Sequence, residues 1–284
     1  VPVDVDAAER FIYANARLLE RRRLAVLLDG EPVDAVLSTL AAYRNDDGGF
    51  GHALEPDVRS PHSEPTATLA ALEVLSEVGA LADPMVAGAA DWLDAISGRD
   101  GQVPTVMPTA ADFPHAPWMV PSEGGSMLSF VLAALLWEAG LEHPWRERAT
   151  SWCWAQLDGP DDGSAYRVKF ALAFLDRVPE AADAAAAIER LRPRLGADGA
   201  IPVPGGTADE RLTPLTLSPH PRARSRALFT GQQIAEDLDR LEGGQLDDGG
   251  WSFDWLGWSP GQSVEWRGIV TLRALAQLRE HGRL

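Results

Sequence analysis

The sequence keeps returning to one short phrase. It reads Asp46-Asp47-Gly48-Gly49-Phe50, Arg99-Asp100-Gly101-Gln102-Val103, Asp161-Asp162-Gly163-Ser164, Ala197-Asp198-Gly199-Ala200-Ile201 and Asp247-Asp248-Gly249-Gly250-Trp251. The copies stand roughly 35 to 60 residues apart, an interval that marks a stacked or wound structural unit. Each copy follows a stretch with helical apolar spacing, and most precede another.

That spacing predicts helices over residues 6–28, 33–43, 66–78, 84–96, 125–138, 144–157, 165–175, 181–195, 224–241 and 264–279. Residues 201–221 carry Pro202, Pro204, Pro214, Pro219 and Pro221, so they cannot form one regular helix. Alternating strand patterns are scarce, and the expected class is all-α. Helices joined by short turns pack antiparallel. A repeated pair can close into an α/α toroid (barrel) of about five to six pairs with inner and outer helical walls, here a single domain over 1–284. The Asp-Gly turns would then gather at one end and feed the inner helices.

Three stretches line up across the repeats: Ser63-Glu64-Pro65-Thr66, Ser122-Glu123-Gly124-Gly125 and Ser263-Val264-Glu265-Trp266. In each, the Ser is expected to cap a helix and a Glu follows within two residues. This register would bring Glu64, Glu123 and Glu265 to one mouth. The bland reading is equally direct, because carboxylates favour the first helical turn through the helix dipole.

Composition narrows the function classes. The 284 residues are 45% hydrophobic and carry a net charge of −17, a surface that repels phosphate backbones and anionic lipid. No nucleic-acid partner is expected. Cys153 is the only cysteine, which excludes an internal disulfide and a zinc site built on paired cysteines. Lys169 is the only lysine, a bias of the whole composition rather than a mark on that residue. No apolar run reaches membrane-spanning length and no signal-peptide pattern is visible. The chain starts at Val1, which leaves room for a trimmed leader; a soluble cytoplasmic protein without stable membrane insertion is the expectation.

The phrases Gln245-Leu246-Asp247-Asp248-Gly249-Gly250-Trp251 and Asp46-Asp47-Gly48-Gly49-Phe50-Gly51 resemble the QW-type repeats of the squalene cyclase and prenyltransferase superfamily. The resemblance covers most of the chain as repeats, sharp in the first and last copies and degenerate between. It implies the α/α toroid and, by extension, a divergent single-barrel, terpenoid-cyclase-like enzyme, an isomerase or lyase. Class II terpene cyclases carry an Asp-x-Asp-Asp motif whose middle Asp protonates an alkene or epoxide. That motif is absent; the matching stretch runs from Glu55 to Ala67, and Glu64 stands at about the place of the acidic pair. The prenyltransferase zinc set of Asp, Cys and His is not visible around Cys153. No cofactor and no metal are expected.

The segment from His52 to Glu64 is the richest in chemistry, with His52, Glu55, Asp57, Arg59, His62 and Glu64. Glu64 is the candidate acid. Burial would raise its pKa and a helix N-terminus would lower it. His62 would orient its proton, with Asp57, Glu123 and Glu265 as further catalytic carboxylates. No known metal-ligand spacing fits the His and carboxylate set.

Aromatic faces stabilise cations, so Phe113, Trp118, Trp255, Trp258 and Trp266 are candidate lining for a substrate, with His52 and His115 beside them. Trp251 sits in the repeat phrase and is expected to pack. Tyr166, Arg167 and Lys169 begin a helix, and His220, Arg222, Arg224 and Arg226 cluster. These basic groups suit an anionic part of a ligand or ion pairs within the chain. Asp237 and Asp239 are expected to face solvent.

The leading expectation is protonation of a hydrophobic, isoprenoid-type small molecule in a central cavity. One alternative is a carbohydrate-active hydrolase or lyase of the same ring type using paired carboxylates. The other is a non-catalytic small-molecule-binding or accessory protein.

Overall fold

The computed structural model describes residues 2–160 and 162–284, so Val1 and Asp161 of the third phrase lie outside the described residues. The protein is mostly helical. Its helices are α1 (Val5–Asn15), α2 (Leu18–Asp29), α3 (Asp34–Ala41), α4 (Pro65–Glu77), α5 (Pro84–Ile96), α6 (Leu128–Glu138), α7 (Pro144–Leu157), α8 (Ala165–Leu175), α9 (Ala181–Leu191), α10 (Pro214–Leu217), α11 (Gly231–Glu242) and α12 (Pro260–Glu280). A two-residue antiparallel ribbon, β1 (Ile201–Pro202) with β2 (Arg211–Leu212), lies in the Pro-rich segment.

Two compact units are present. One comprises Val1–Val36, Gly163–Leu172 and Ala181–Leu284; the other comprises Leu37–Asp162 and Ala173–Glu180. In the second unit α4 and α7 both pack on α6, and α5 packs on α7. Every residue from Leu128 to Leu136 in α6 is buried, which is why that stretch shows no polar face. In the first unit α12 packs against α1, α2 and α11 around Phe11, Ile12, Trp251, Leu272 and Leu275.

Several helix boundaries differ from expectation for identifiable reasons. Residues 6–28 form two helices because Ala16 and Arg17 are extended. The break lets Ala16 lie against α12, where a Cβ on Gly268 would come within 2.7 Å of the Ala16 methyl. Arg21 Nε donates to the freed Ala16 carbonyl at 3.0 Å. Glu20 is fully buried between Arg17 and Arg23; burial opposes its charge, but the two guanidiniums prevail and hold its pKa below the usual value. Residues 224–241 are likewise interrupted: a 3-10 turn at Arg224–Leu228 precedes α11, which Thr230 starts with a capping box to Gln233.

The repeated phrase folds the same way each time. In the four copies that are fully described, the glycine after the Asp has φ between 80° and 93° (Gly48, Gly101, Gly199, Gly249), a region open mainly to glycine. The Asp carboxylate accepts the N–H two residues on: Gly49, Gln102, Ala200 and Gly250. A backbone bond then closes each loop, Asn45 to Gly49, Gly98 to Gln102, Gly196 to Ala200 and Leu246 to Gly250. There is no room at three of these glycines. A Cβ at Gly48 would lie 2.5 Å from the Gly88 carbonyl oxygen, at Gly101 2.5 Å from the Ala149 nitrogen, and at Gly249 2.3 Å from the Ala7 carbonyl oxygen.

After three of these loops the next residue fastens a later helix through a buried hydroxyl. Phe50 N–H donates to Thr68 Oγ1 at 3.2 Å, Val103 N–H to Ser129 Oγ at 3.0 Å, and Trp251 N–H to Thr271 Oγ1 at 2.9 Å. All three hydroxyl residues are fully buried. A buried donor left unmade costs about 1–3 kcal/mol. Thr271→Val keeps the shape of the side chain and strands the Trp251 N–H. Urea unfolding should show a loss of stability of about 1–3 kcal/mol with an unchanged slope; an unchanged midpoint would mean the bond is not part of the fold's support.

Candidate functional site

The loop between the first phrase and α4 is held by the phrase itself. Asn45 Nδ2 donates to the Pro61 carbonyl at 3.1 Å and to Ser63 Oγ at 3.0 Å, while its Oδ1 meets His52 Nε2 at 2.9 Å. Asp47 Oδ1 accepts the Ser63 hydroxyl at 2.7 Å. Ser63 is therefore tied to the phrase and does not cap α4. His52 and Ala53 adopt φ of 55° and 58°, an unfavourable conformation for side-chain-bearing residues that this pinning sustains.

Glu64 occupies the N-cap position of α4, where its carbonyl accepts the Thr68 N–H at 2.9 Å, but its side chain bonds none of the helix's N–H groups. Phe50 fixes its backbone, accepting the Glu64 N–H at 2.8 Å. Its side chain turns to a second loop: Oε2 accepts the Met107 N–H at 2.8 Å. That loop is itself stitched to the first, with Arg59 N–H to the Pro114 carbonyl at 2.9 Å and Ala116 N–H to the Asp57 carbonyl at 2.8 Å. Glu64 is 1% exposed, and Oε1 has no hydrogen-bond partner in the protein. Burial raises its pKa to about 7, against the opposing pull of the Met107 N–H and the Ser60 hydroxyl. Desolvation thus outweighs the stabilisation that an anion gains at a helix start.

The paired loops carry Asp57, His62 and Phe113 as well as Glu64. Asp57 is buried, and its N–H donates to Glu55 Oε2 at 2.9 Å. His62 is exposed; its ring meets the edge of Phe113 at 5.5 Å, and Glu64's proton is not in its hands. Trp118 is 42% exposed on the second loop, and His115 Nδ1 meets the Phe113 carbonyl at 2.8 Å.

The expected ring of three glutamates has a different register. The residue whose N–H meets the post-phrase carbonyl is Glu64 for Phe50 and Ser126 for Val103, at 2.8 Å each. At Trp251 the carbonyl accepts from Arg267 Nε at 3.2 Å. By the backbone bond Glu64 corresponds to Ser126, and by its place four residues before the hydroxyl residue (Thr68 in α4, Thr271 in α12) it corresponds to Arg267; neither equivalence gives Glu123 or Glu265. Glu123 is exposed, five residues before α6, and Glu265 is the sixth residue of α12, in the other unit. Ser122 precedes the helix and Ser263 lies inside it; Ser259 caps α12.

The remaining candidates belong to the first unit. Tyr166 donates to Glu210 Oε1 at 3.1 Å, a partner that the sequence reading missed; Lys169 approaches the rings of Tyr166 and Phe170. Arg167 N–H is capped by Ser164 Oγ at 3.3 Å. Phe253 stacks on Trp255 at 4.7 Å, and Trp255 meets Trp266 edge-on at 5.0 Å. Trp258 is half-buried in the same segment, and Arg224 opens the 3-10 turn before α11. Trp251 is buried and donates its indole N–H to the Leu241 carbonyl at 2.7 Å, a packing part. Asp237 is buried rather than solvent-facing. It accepts the Leu215 N–H and pairs with Arg240, thereby capping the short helix α10.

Among the described residues no three His, Cys, Asp or Glu side chains are grouped to hold a metal ion. No helix among them is long and apolar enough to cross a membrane. Two recesses of about 300 and 280 Å³ lie in the first unit. One is lined by Tyr13, Arg22 and Asp29 among others, the second by Arg226, Phe229, Ile234 and His281.

A crystal structure of a protein from Actinoplanes shares this fold, with a TM-score of 0.59 and 19% identity over 98% of this chain and 100% of that one. No family model and no curated protein matches the chain.

The raised pKa of Glu64 makes stability depend on pH. The folded state keeps a proton between the ordinary glutamate value of 4.5 and about 7, where the unfolded state has lost it. Stability therefore falls as pH rises through this window, by about 3 kcal/mol in all. Glu64→Gln stays neutral, so it should equal the native protein at pH 4 and exceed it by about 3 kcal/mol at pH 8. Parallel pH profiles in urea unfolding would show that Glu64 is charged at neutrality.

Proposed function

We propose that this chain is a terpenoid-cyclase-like enzyme that protonates a hydrophobic, isoprenoid-type small molecule, with Glu64 as the acid. The observation that carries the reading is a buried carboxyl with one oxygen held and the other without a protein partner. Because Oε2 accepts the Met107 N–H, the proton belongs on Oε1. A carboxylic acid poised near neutrality with its O–H uncommitted is a suitable general acid. The helix pairs would close as an α/α toroid, with the repeated loops feeding its inner wall. Fold alone licenses no chemistry, and the resemblance to squalene cyclases and prenyltransferases supports the substrate class through the repeat phrases only.

In this reading Glu64 transfers its proton to the substrate and becomes a carboxylate. The resulting cation closes a ring and ends by losing a proton, so the product is an isomer of the substrate. Phe113, whose ring lies against His62 on the neighbouring loop, would face the cation, and the burial of Glu64 would keep water from it. The reaction consumes no oxidant or group donor.

A second reading draws on Glu55 and Asp57, two further buried carboxyl residues on the loop that ends in Glu64. Paired carboxylates of this kind serve glycoside cleavage. Product analysis separates the two, since cyclisation leaves molecular mass unchanged and glycoside hydrolysis adds water. With linear isoprenoids and their epoxides as substrates, we expect isomeric products. Glu64→Gln should lower turnover by about 10²–10⁴-fold, and the native rate should fall as pH rises through about 7 as the acid form is lost. Native turnover by Glu64→Gln would remove Glu64 from the chemistry.

A further inference from the structure

Glu64 is 1% exposed, so no substrate reaches its carboxyl in this conformation. The second loop lies against that carboxyl, with the Met107 N–H 2.8 Å from Oε2. It belongs to a long connection between α5 and α6 whose regular structure is one 3-10 turn, Pro108–Asp112. Connections of that length inside a compact unit are uncommon and usually functional. Ser122 N–H donates to the Val106 carbonyl at 3.1 Å, so residues 106–122 form a loop closed at its own base. Below the base the stem is fixed. Ser126 N–H donates to the Val103 carbonyl at 2.8 Å, and Ser129 in α6 holds the Val103 N–H. The links between base and stem are short. Glu123 and Gly124 are exposed, and a Cβ at Gly124 would meet nothing within 4 Å.

The closed loop is tied to the first loop by Arg59 N–H to the Pro114 carbonyl, Ala116 N–H to the Asp57 carbonyl, and Met107 N–H to Glu64. Beneath it Val58, Val106 and Ala110, with Met119 packed on them, make a small apolar cluster of their own. Such satellite clusters sit under long loops, and segments held by so little apolar burial open well before the whole fold does. We propose that residues 106–122 are a lid over Glu64. The lid swings away as one piece about residues 104–105 and 123–124, takes the Met107 N–H with it, and admits substrate to the carboxyl. Closure returns that N–H to Oε2 and expels water, which leaves the proton on Oε1 beside the bound molecule. The inference rests on Glu64 as the reacting group and adds the route by which a substrate meets it.

Val58 and His115 face each other where the two loops pair. The bonds on either side of them make this a non-hydrogen-bonded pair, whose α-carbons stand about 4.5 Å apart, within disulfide range. Val58→Cys with His115→Cys therefore pins the lid when oxidised and frees it when reduced; Cys153 is buried and does not compete. Labelling of Glu64 by a water-soluble carbodiimide and glycine ethyl ester, read by peptide mass spectrometry, reports access without any substrate. The reduced variant should be labelled at Glu64 and the oxidised one at least about tenfold more slowly, with the exposed Glu31 labelled alike in both. In the native protein, the Met107 and Ala116 amides should exchange hydrogen at least about tenfold faster than the Phe50 amide held by Thr68. Equal Glu64 labelling in the two forms, no Glu64 labelling in the reduced form, or Met107 and Ala116 as protected as Phe50 would each overturn the inference. Native turnover by Glu64→Gln would instead remove the acid, a separate failure that these measurements of access do not share.

Discussion

The structure depends on how three of the Asp-Gly loops hand their next residue to a later helix. The Asp carboxylate and a left-handed glycine shape the loop, and the following N–H is spent on a buried hydroxyl in that helix. At Phe50 the same residue does two jobs. Its N–H holds Thr68 and its carbonyl holds the Glu64 N–H, so both ends of the first turn of α4 are fixed by one peptide unit on either side. The position of Glu64 is thus a by-product of the device that joins the repeats.

What distinguishes Glu64 is its residue type at a position that the other repeats fill differently. Ser126 and Arg267 stand at the corresponding places, and neither is a carboxylic acid. At a helix start, a carboxylate is usually an N-cap that satisfies the first N–H groups and stays charged. Glu64 forgoes those bonds and reaches into the second loop instead. There the Met107 N–H and the Ser60 hydroxyl are too little to offset the loss of water, and the acid form prevails. The second loop matters as well as the helix, because its Met107 N–H holds the carboxyl and its backbone is paired to the first loop at Arg59 and Ala116.

Much of the helical framework was legible because its signals are local. Pro84 and Pro144 at first-turn positions and the long apolar spacing gave α5 and α7 their observed bounds. The splits at Ala16 and Phe229 were not legible, because they answer to contacts distant in sequence or to a cap inside an apolar run. The site was half legible. Glu64 stood out by its place before Pro65, and Asp57 and His62 by their loop. The register linking it to Glu123 and Glu265 rested on a shared Ser-Glu pair, whereas the structural equivalence runs through Thr68, Ser129 and Thr271. A search for a hydroxyl residue in the helix after each Asp-Gly phrase would have found it.

The central claim is that Glu64 holds a proton at neutrality because the protein strips it of water. Its side-chain carboxyl can be followed directly by ¹³C NMR on protein labelled at glutamate, with Glu64→Gln assigning the resonance. The account predicts a midpoint of about 7 for that one carboxyl. A midpoint near the ordinary glutamate value of about 4.3 would contradict it.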